Sequence, residues 1–243
     1  MPKILGSGIS WLYVRAIDET IDPFAGTGNS VYDNPVTTGG TTVNHTFPFA
    51  NTDYIIVGRC FDGSGNNIDY LIDNKLAGSY DVTSAINGSW DGIAMTYSDL
   101  NSIGANSQAV TTGGTTITGL EFSSASDYSI LVRCYDASGN NIDFRITNRT
   151  ASSFKVTPAI NGTIDYLCVN KDYDTGIRSD NRMSATTGGT AITFDTWGGT
   201  GYAIVIRCYD SDGDNIDYTI TAKGNDTFTV TPAQDGYVDY VLY

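Results

Sequence analysis

A twelve-residue stretch, Arg133-Cys134-Tyr135-Asp136-Ala137-Ser138-Gly139-Asn140-Asn141-Ile142-Asp143-Phe144, returns in near copies from Arg59 to Tyr70 and from Arg207 to Tyr218. Cys60, Cys134 and Cys208 stand 74 residues apart. A period that regular, with Arg-Cys-aromatic-Asp and Asn-Ile-Asp-aromatic kept each time, means one folding unit written three times. The chain is read as an internal triplication.

Each copy reads as a β-hairpin. Tyr128, Ile130, Val132 and Cys134 share one face of the strand before the loop, and Ile142, Phe144 and Ile146 share a face of the strand after it. The Asp-Ala-Ser-Gly-Asn-Asn run between them supplies the turn chemistry. The other face of the first strand is also apolar, with Ile55, Val57, Arg59 and Phe61, then Leu131, Arg133 and Tyr135, then Val205, Arg207 and Tyr209. A strand apolar on both sides is central or covered on both faces, and the neighbouring module is the economical cover.

Composition agrees with strands. The 243 residues include 27 Gly, 16 Tyr and 9 Phe, and only 16% are charged, which suits short strands joined by tight turns. The expected class is all-β: three tandem antiparallel β-sandwich modules. A formal net charge of -14 without a basic cluster disfavours nucleic acid as a partner. No apolar run approaches the roughly 18 residues of a membrane helix, and the opening residues lack the apolar core of a secretory signal, so the expectation is no membrane insertion and folding in the cytoplasm. Three of the four cysteines hold equivalent repeat positions, too far apart for a disulfide, and all four, Cys168 included, are read as buried thiols.

In chain order, residues 1–35 form an N-terminal segment that carries an apolar strand, Trp11, Leu12, Tyr13 and Val14. It stands before Thr37-Thr38-Gly39-Gly40 as Asp91 to Met95 and Asp165 to Val169 stand before the later copies of that motif, so it is read as an assembly strand able to complete a sheet here or in a neighbouring subunit. The modules span 36–97, 110–170 and 186–243, with polar connectors at 98–109 and 171–185. Pro158 and Pro232 are expected to end strands.

Candidate sites are weighed against plain structural readings. Arg59, Phe61, Arg133, Tyr135, Arg207 and Tyr209 recur on one face with Asp91, Asp165 and Asp239 and with Asp69, Asp143 and Asp217. A guanidinium among apolar neighbours needs acceptors, so the structural reading is an ion pair at a module interface, and the functional one is a repeated sugar contact. Asp210, Asp212, Asp214 and Asp217 alternate around Gly213 and resemble a calcium loop. The first two copies lack two of these acids, and the structural reading is a hairpin loop without a cofactor. His45 is the lone histidine, in an expected strand, and no nucleophile elbow or His/Cys metal spacing accompanies it. The chain is therefore read as a non-enzyme. Asn87-Gly88 and Asn161-Gly162, although within glycosylation sequons, are read as turns.

The progression Tyr128 to Tyr135, Ile142-Asp143-Phe144, Ile146 to Phe154 and Asn161 to Tyr166 resembles the small β-sandwich modules of bacteriophage tail and head fibres, and also the H-type lectin fold. The resemblance extends over roughly Thr37 to Tyr243 through short structural motifs, and no sugar-binding set transfers position by position. It implies a virion protein assembled in the host cytoplasm, a structural or host-attachment component whose partners are other virion proteins, host surface glycans and further copies of itself. The alternative is a bacterial carbohydrate-binding protein without a virion role. Such fibre modules trimerise from three chains, whereas here one chain carries three copies. A pseudo-threefold ring is therefore expected, against a string in which the first and third modules stay apart.

Overall fold

The computed structural model describes residues 28–46, 48–96, 99–100, 103–171, 178–194 and 200–243. Among them the chain is all-β, with no helix and six small antiparallel sheets. Trp11, Leu12, Tyr13 and Val14 lie outside the described residues.

The first strands are β1 (Gly28–Val36), β2 (Thr41–Asn44), β3 (Tyr54–Phe61), β4 (Asn67–Ile68), β5 (Tyr70–Leu76), β6 (Ser79–Ser84) and β7 (Gly88–Thr96). They build two sheets, β1-β7-β3-β4 and β2-β6-β5. Next come β8 (Asp99–Leu100), β9 (Ile103–Val110), β10 (Thr115–Thr118), β11 (Tyr128–Tyr135), β12 (Phe144–Thr147), β13 (Ser153–Pro158) and β14 (Gly162–Asn170), in sheets β11-β14-β9-β8 and β10-β13-β12. The last are β15 (Arg178–Ala185), β16 (Thr190–Thr193), β17 (Ile204–Tyr209), β18 (Tyr218–Thr221), β19 (Thr227–Pro232) and β20 (Gly236–Leu242), in sheets β15-β20-β17 and β16-β19-β18. Pro158 and Pro232 are the last residues of β13 and β19.

The two sheets of each set face one another across their own apolar core. The first core joins Val36, Tyr54, Ile56 and Cys60 to Val43, Ile72, Tyr80 and Val82. Tyr128, Ile130, Cys134, Phe154 and Val156 sit in the second, and Tyr202, Ile204, Cys208, Phe228 and Val230 in the third. Alternation explains the inward set, since β6, β13 and β19 share one burial rhythm in which every second residue is buried.

A fourth core lies between the sheet pairs. Ile55, Val57, Ile93 and Met95 meet Leu131, Leu167 and Val169, and both groups meet Val205 and Val241. These are the second faces of β3, β11 and β17 with those of β7, β14 and β20. The doubly apolar strand is thus covered on both sides, although β11 and β17 lie at sheet edges rather than centrally. Strand β3 touches β17 and β11, and β11 touches β17, so the first and third sheet pairs are in direct contact. Burying each such aliphatic side chain contributes roughly 1.5–3 kcal/mol, which makes this shared core a principal tie between the sheet pairs.

Two expectations need correction. The segments read as connectors hold strands: β9 pairs along its length with β14, and β15 pairs with β20, as β1 pairs with β7. Residues 28–35 of the N-terminal segment likewise belong to the first sheet. The long hairpin is also shorter than expected, since only Cys60↔Ile68 and Phe61↔Asn67 pair before the chain crosses to the other sheet, where β5 pairs with β6. Crossing brings Ile72, Ile146 and Ile220 onto the second side of the core whose first side carries Cys60, Cys134 and Cys208.

Candidate functional site

Asp91, Asp165 and Asp239 sit on β7, β14 and β20 at no more than 2% exposure. A carboxylate so buried must be satisfied by hydrogen bonds. Each accepts one from the backbone of a different sheet pair. Ile204 N–H donates to Asp91 Oδ2 at 3.2 Å, Ile56 N–H to Asp165 Oδ2 at 3.2 Å, and Ile130 N–H to Asp239 Oδ2 at 3.0 Å. Bulges in β1 and β15 serve two of the remaining oxygens. They turn Asp33 (φ 47°) and Arg182 (φ 52°) left-handed, so that their N–H groups donate to Asp91 Oδ1 and Asp239 Oδ1, each at 2.9 Å. Strand β9 runs without a bulge, and Asp165 Oδ1 accepts from Tyr135 Oη–H at 3.1 Å, as Asp239 Oδ1 also accepts from Tyr209 Oη–H at 2.8 Å.

The recurring arginines are buried as well. Arg59 pairs with Asp91 at 3.0 Å and donates through Nε to the Ile204 carbonyl at 2.9 Å, reaching the third sheet pair. Arg133 and Arg207 have no ion pair among the described residues. They donate to the carbonyls of Gly139 and Gly213, and each arginine lies over the aromatic ring two residues on, Phe61, Tyr135 or Tyr209, at 4.0 to 4.2 Å. Burial pulls Arg207 down to about 10.

The acidic loops prove to be docking tips. Ile220 N–H donates to the Gly65 carbonyl and Ile146 N–H to that of Gly213, each at 3.0 Å, while Asn140 bridges Leu71. The tips of the first, second and third copies thus rest on β18, β5 and β12. Gly65, Gly139 and Gly213 have φ between 83° and 88°, and a Cβ on any of them would meet a carbonyl oxygen of the receiving strand at 1.9 to 2.7 Å, so glycine is required twice over. Asp210 Oδ1 accepts the N–H groups of Asp212 and Asp214 at 2.9 Å, closing the turn. Asp214 is forked by Arg145, whose proximity holds its carboxyl below the usual range. Asp212 and Asp217 remain exposed. Among the described residues no group of three or more His, Cys, Asp or Glu side chains is placed to hold a metal ion.

His45 packs against the rings of Phe49, Tyr54 and Tyr80, and desolvation lowers its pKa to about 4. All four cysteines are free and buried, and burial pushes Cys60 and Cys134 up to about 12. These are core groups. Asn87 and Asn161 accept the N–H groups of Thr38 and Thr112, fastening the Thr-Thr-Gly-Gly turns.

Two of the cavities on the junctions each gather three arginines. One, of about 190 Å³, lies where Arg59, Arg133 and Arg207 meet, with Asp69, Asp143 and Asp217 also on its lining. The opposed charges balance there. Arg133 Nε and Asn141 Oδ1 lack partners, but the equivalent atoms of Arg207 and Asn215 bond at 2.8 Å, so the two are a complementary donor and acceptor. The other cavity, of about 360 Å³, lies between the second and third sheet pairs against Arg149, Arg182, Arg207, Asp212 and Tyr237. Sequence reading passed over Arg149 and Arg182. The available signal was that the positions equivalent to Arg149 carry Lys75 and Lys223.

Compared with known proteins, the chain matches no family model, no curated protein and no solved structure.

Proposed function

We propose that the chain is an internally triplicated β-sandwich protein closed into a pseudo-threefold ring, and that it serves as a non-enzymatic structural and host-attachment component on the surface of a tailed bacteriophage particle. The observation that carries the ring is direction. Asp91 reaches the third sheet pair, Asp239 the second and Asp165 the first, and the three hairpin tips dock in the same cyclic order. Equivalent contacts that return to their starting point after three steps are what a closed heterologous ring requires. One chain then imitates the trimer that fibre modules build from three.

The phage assignment is supported by the sequence resemblance from Thr37 onward and by four buried thiols, which suit assembly in a reducing cytoplasm. Its partners in this reading are neighbouring virion proteins, further copies of the chain, and host glycans at the outer surface. Antibodies raised against the purified chain are expected to decorate intact particles and to block adsorption to host cells. Label confined to bacterial surfaces, with particles bare, would contradict the proposal in favour of a bacterial carbohydrate-binding protein.

A further inference from the structure

We propose that the 360 Å³ cavity between the second and third sheet pairs binds a carboxylated sugar residue, with Arg149 and Arg182 on its carboxylate and Asp212 and Tyr237 on its hydroxyls and ring. The volume lies within the roughly 300–1,000 Å³ of small-ligand clefts. The proposal rests on the attachment half of the function proposed above.

Charge is the first argument. A chain of net charge -14 brings three of its 13 basic residues to one cleft, against Asp210 and Asp212 on its lining and Asp239 behind Arg149, so the cleft is locally neutral in a strongly acidic chain. Unused donors are the second. Arg149, its side chain only 10% exposed, gives Nη1 to Asp239 at 2.9 Å and lies over Tyr128 at 4.4 Å, while its Nε and Nη2 have no partner among the described residues. Arg182 is exposed, forms no ion pair among the described residues, and extends from its left-handed bulge over Tyr237 at 5.6 Å. A guanidinium with free donors is suited to a planar carboxylate.

The lining of the cleft is not repeated at the other junctions. Arg149 is replaced by Lys75 and Lys223 at the other junctions, and the residue in the first bulge equivalent to Arg182 is Asp33, of opposite charge. The cation over a tyrosine at position 149 is shared with Lys75 over Tyr54 and Lys223 over Tyr202, so the part of the site that stands outside the threefold pattern, and that its packing does not explain, is Arg182. Asp210 and Asp212 then discriminate among anions, because beside them a phosphate dianion is repelled while sugar hydroxyls find acceptors.

Saturation-transfer NMR and calorimetry on the full chain would test this with methyl glycosides of uronic and sialic acids, their neutral parent sugars, and inorganic phosphate. The expected result is binding of at least one acidic glycoside, with its neutral parent about tenfold or more weaker. Arg182→Asn keeps a residue that tolerates the left-handed backbone, and should weaken binding at least tenfold without lowering Tm; Lys171→Gln should bind as the parent chain does. Phosphate bound as tightly as the sugar, no binding by any glycoside, or affinity that survives Arg182→Asn would each overturn the site. Failure of the whole panel alongside antibody-blocked adsorption would refute this cleft and leave the attachment role standing.

Discussion

At Ala222 the backbone is left-handed, φ 52°, where the equivalent positions hold Asn74 (46°) and Asn148 (52°). Alanine pays a steric penalty there that asparagine largely escapes. Ala222 is exposed, so Ala222→Asn should raise stability by about 0.5–1 kcal/mol in urea denaturation, and Asn148→Ala should lower it comparably, whereas Asn74→Ala should lower it further by also removing the hydrogen bond to Asp81 Oδ2. His45 makes the second residue-scale prediction. Its folded pKa of about 4 lies below the ordinary 6.5, so the unfolded chain binds the proton more readily, and stability is full above pH 6.5 and is lost as pH falls from there towards 4. Allowing for partial solvent screening, the loss is roughly 1–2 kcal/mol. It should vanish in His45→Phe; an unchanged pH slope in that variant would refute the assignment. The sequence named the residue types at the junctions, Arg beside aromatic and Asp, but not their partners, because Asp165 and Ile56 meet across 109 residues of chain.

Among the elements, the hairpin tip is the part on which interlocking turns. Gly213→Ala would drive a Cβ to within 2.0 Å of the Ile146 carbonyl at a φ of 88°, and is expected to cost more than about 2 kcal/mol. Gly63, also in a tip, has nothing within 4 Å of its would-be Cβ, so Gly63→Ala should stay within about 0.5 kcal/mol. Equal effects in equilibrium unfolding would count against docked tips. The strands with strong alternation, β6, β13 and β19, were legible in sequence. Strands β9 and β15 were not, because Ile-Gly-Ala-Asn-Ser-Gln-Ala-Val and Arg-Ser-Asp-Asn-Arg-Met-Ser-Ala carry little periodic apolarity, and the ladders to β14 and β20 hold them in place. A compensated exchange was equally hidden. Trp90 occupies the site of Ile164 and Val238, and it fits because Gly58 and Gly92 replace larger residues; a Cβ on either would meet its ring at 2.4 to 2.6 Å.

For the whole molecule, the 74-residue period is what leads to the proposed ring, since a ring requires equivalent positions to make equivalent contacts. The ring and the string differ at one junction, that between the first and third sheet pairs. Asn66 bridges Thr219 there, with Thr219 Oγ1–H donating to Asn66 Oδ1 at 2.7 Å across 153 residues. Directly opposed positions on an antiparallel bridge fall within disulfide reach, and the four native thiols are buried away from the oxidant. The decisive measurement is therefore oxidation of the folded Asn66→Cys/Thr219→Cys variant, followed by non-reducing electrophoresis and peptide mapping. The ring predicts rapid, concentration-independent formation of the intramolecular 66–219 disulfide, whereas free thiols or only intermolecular dimers would contradict it.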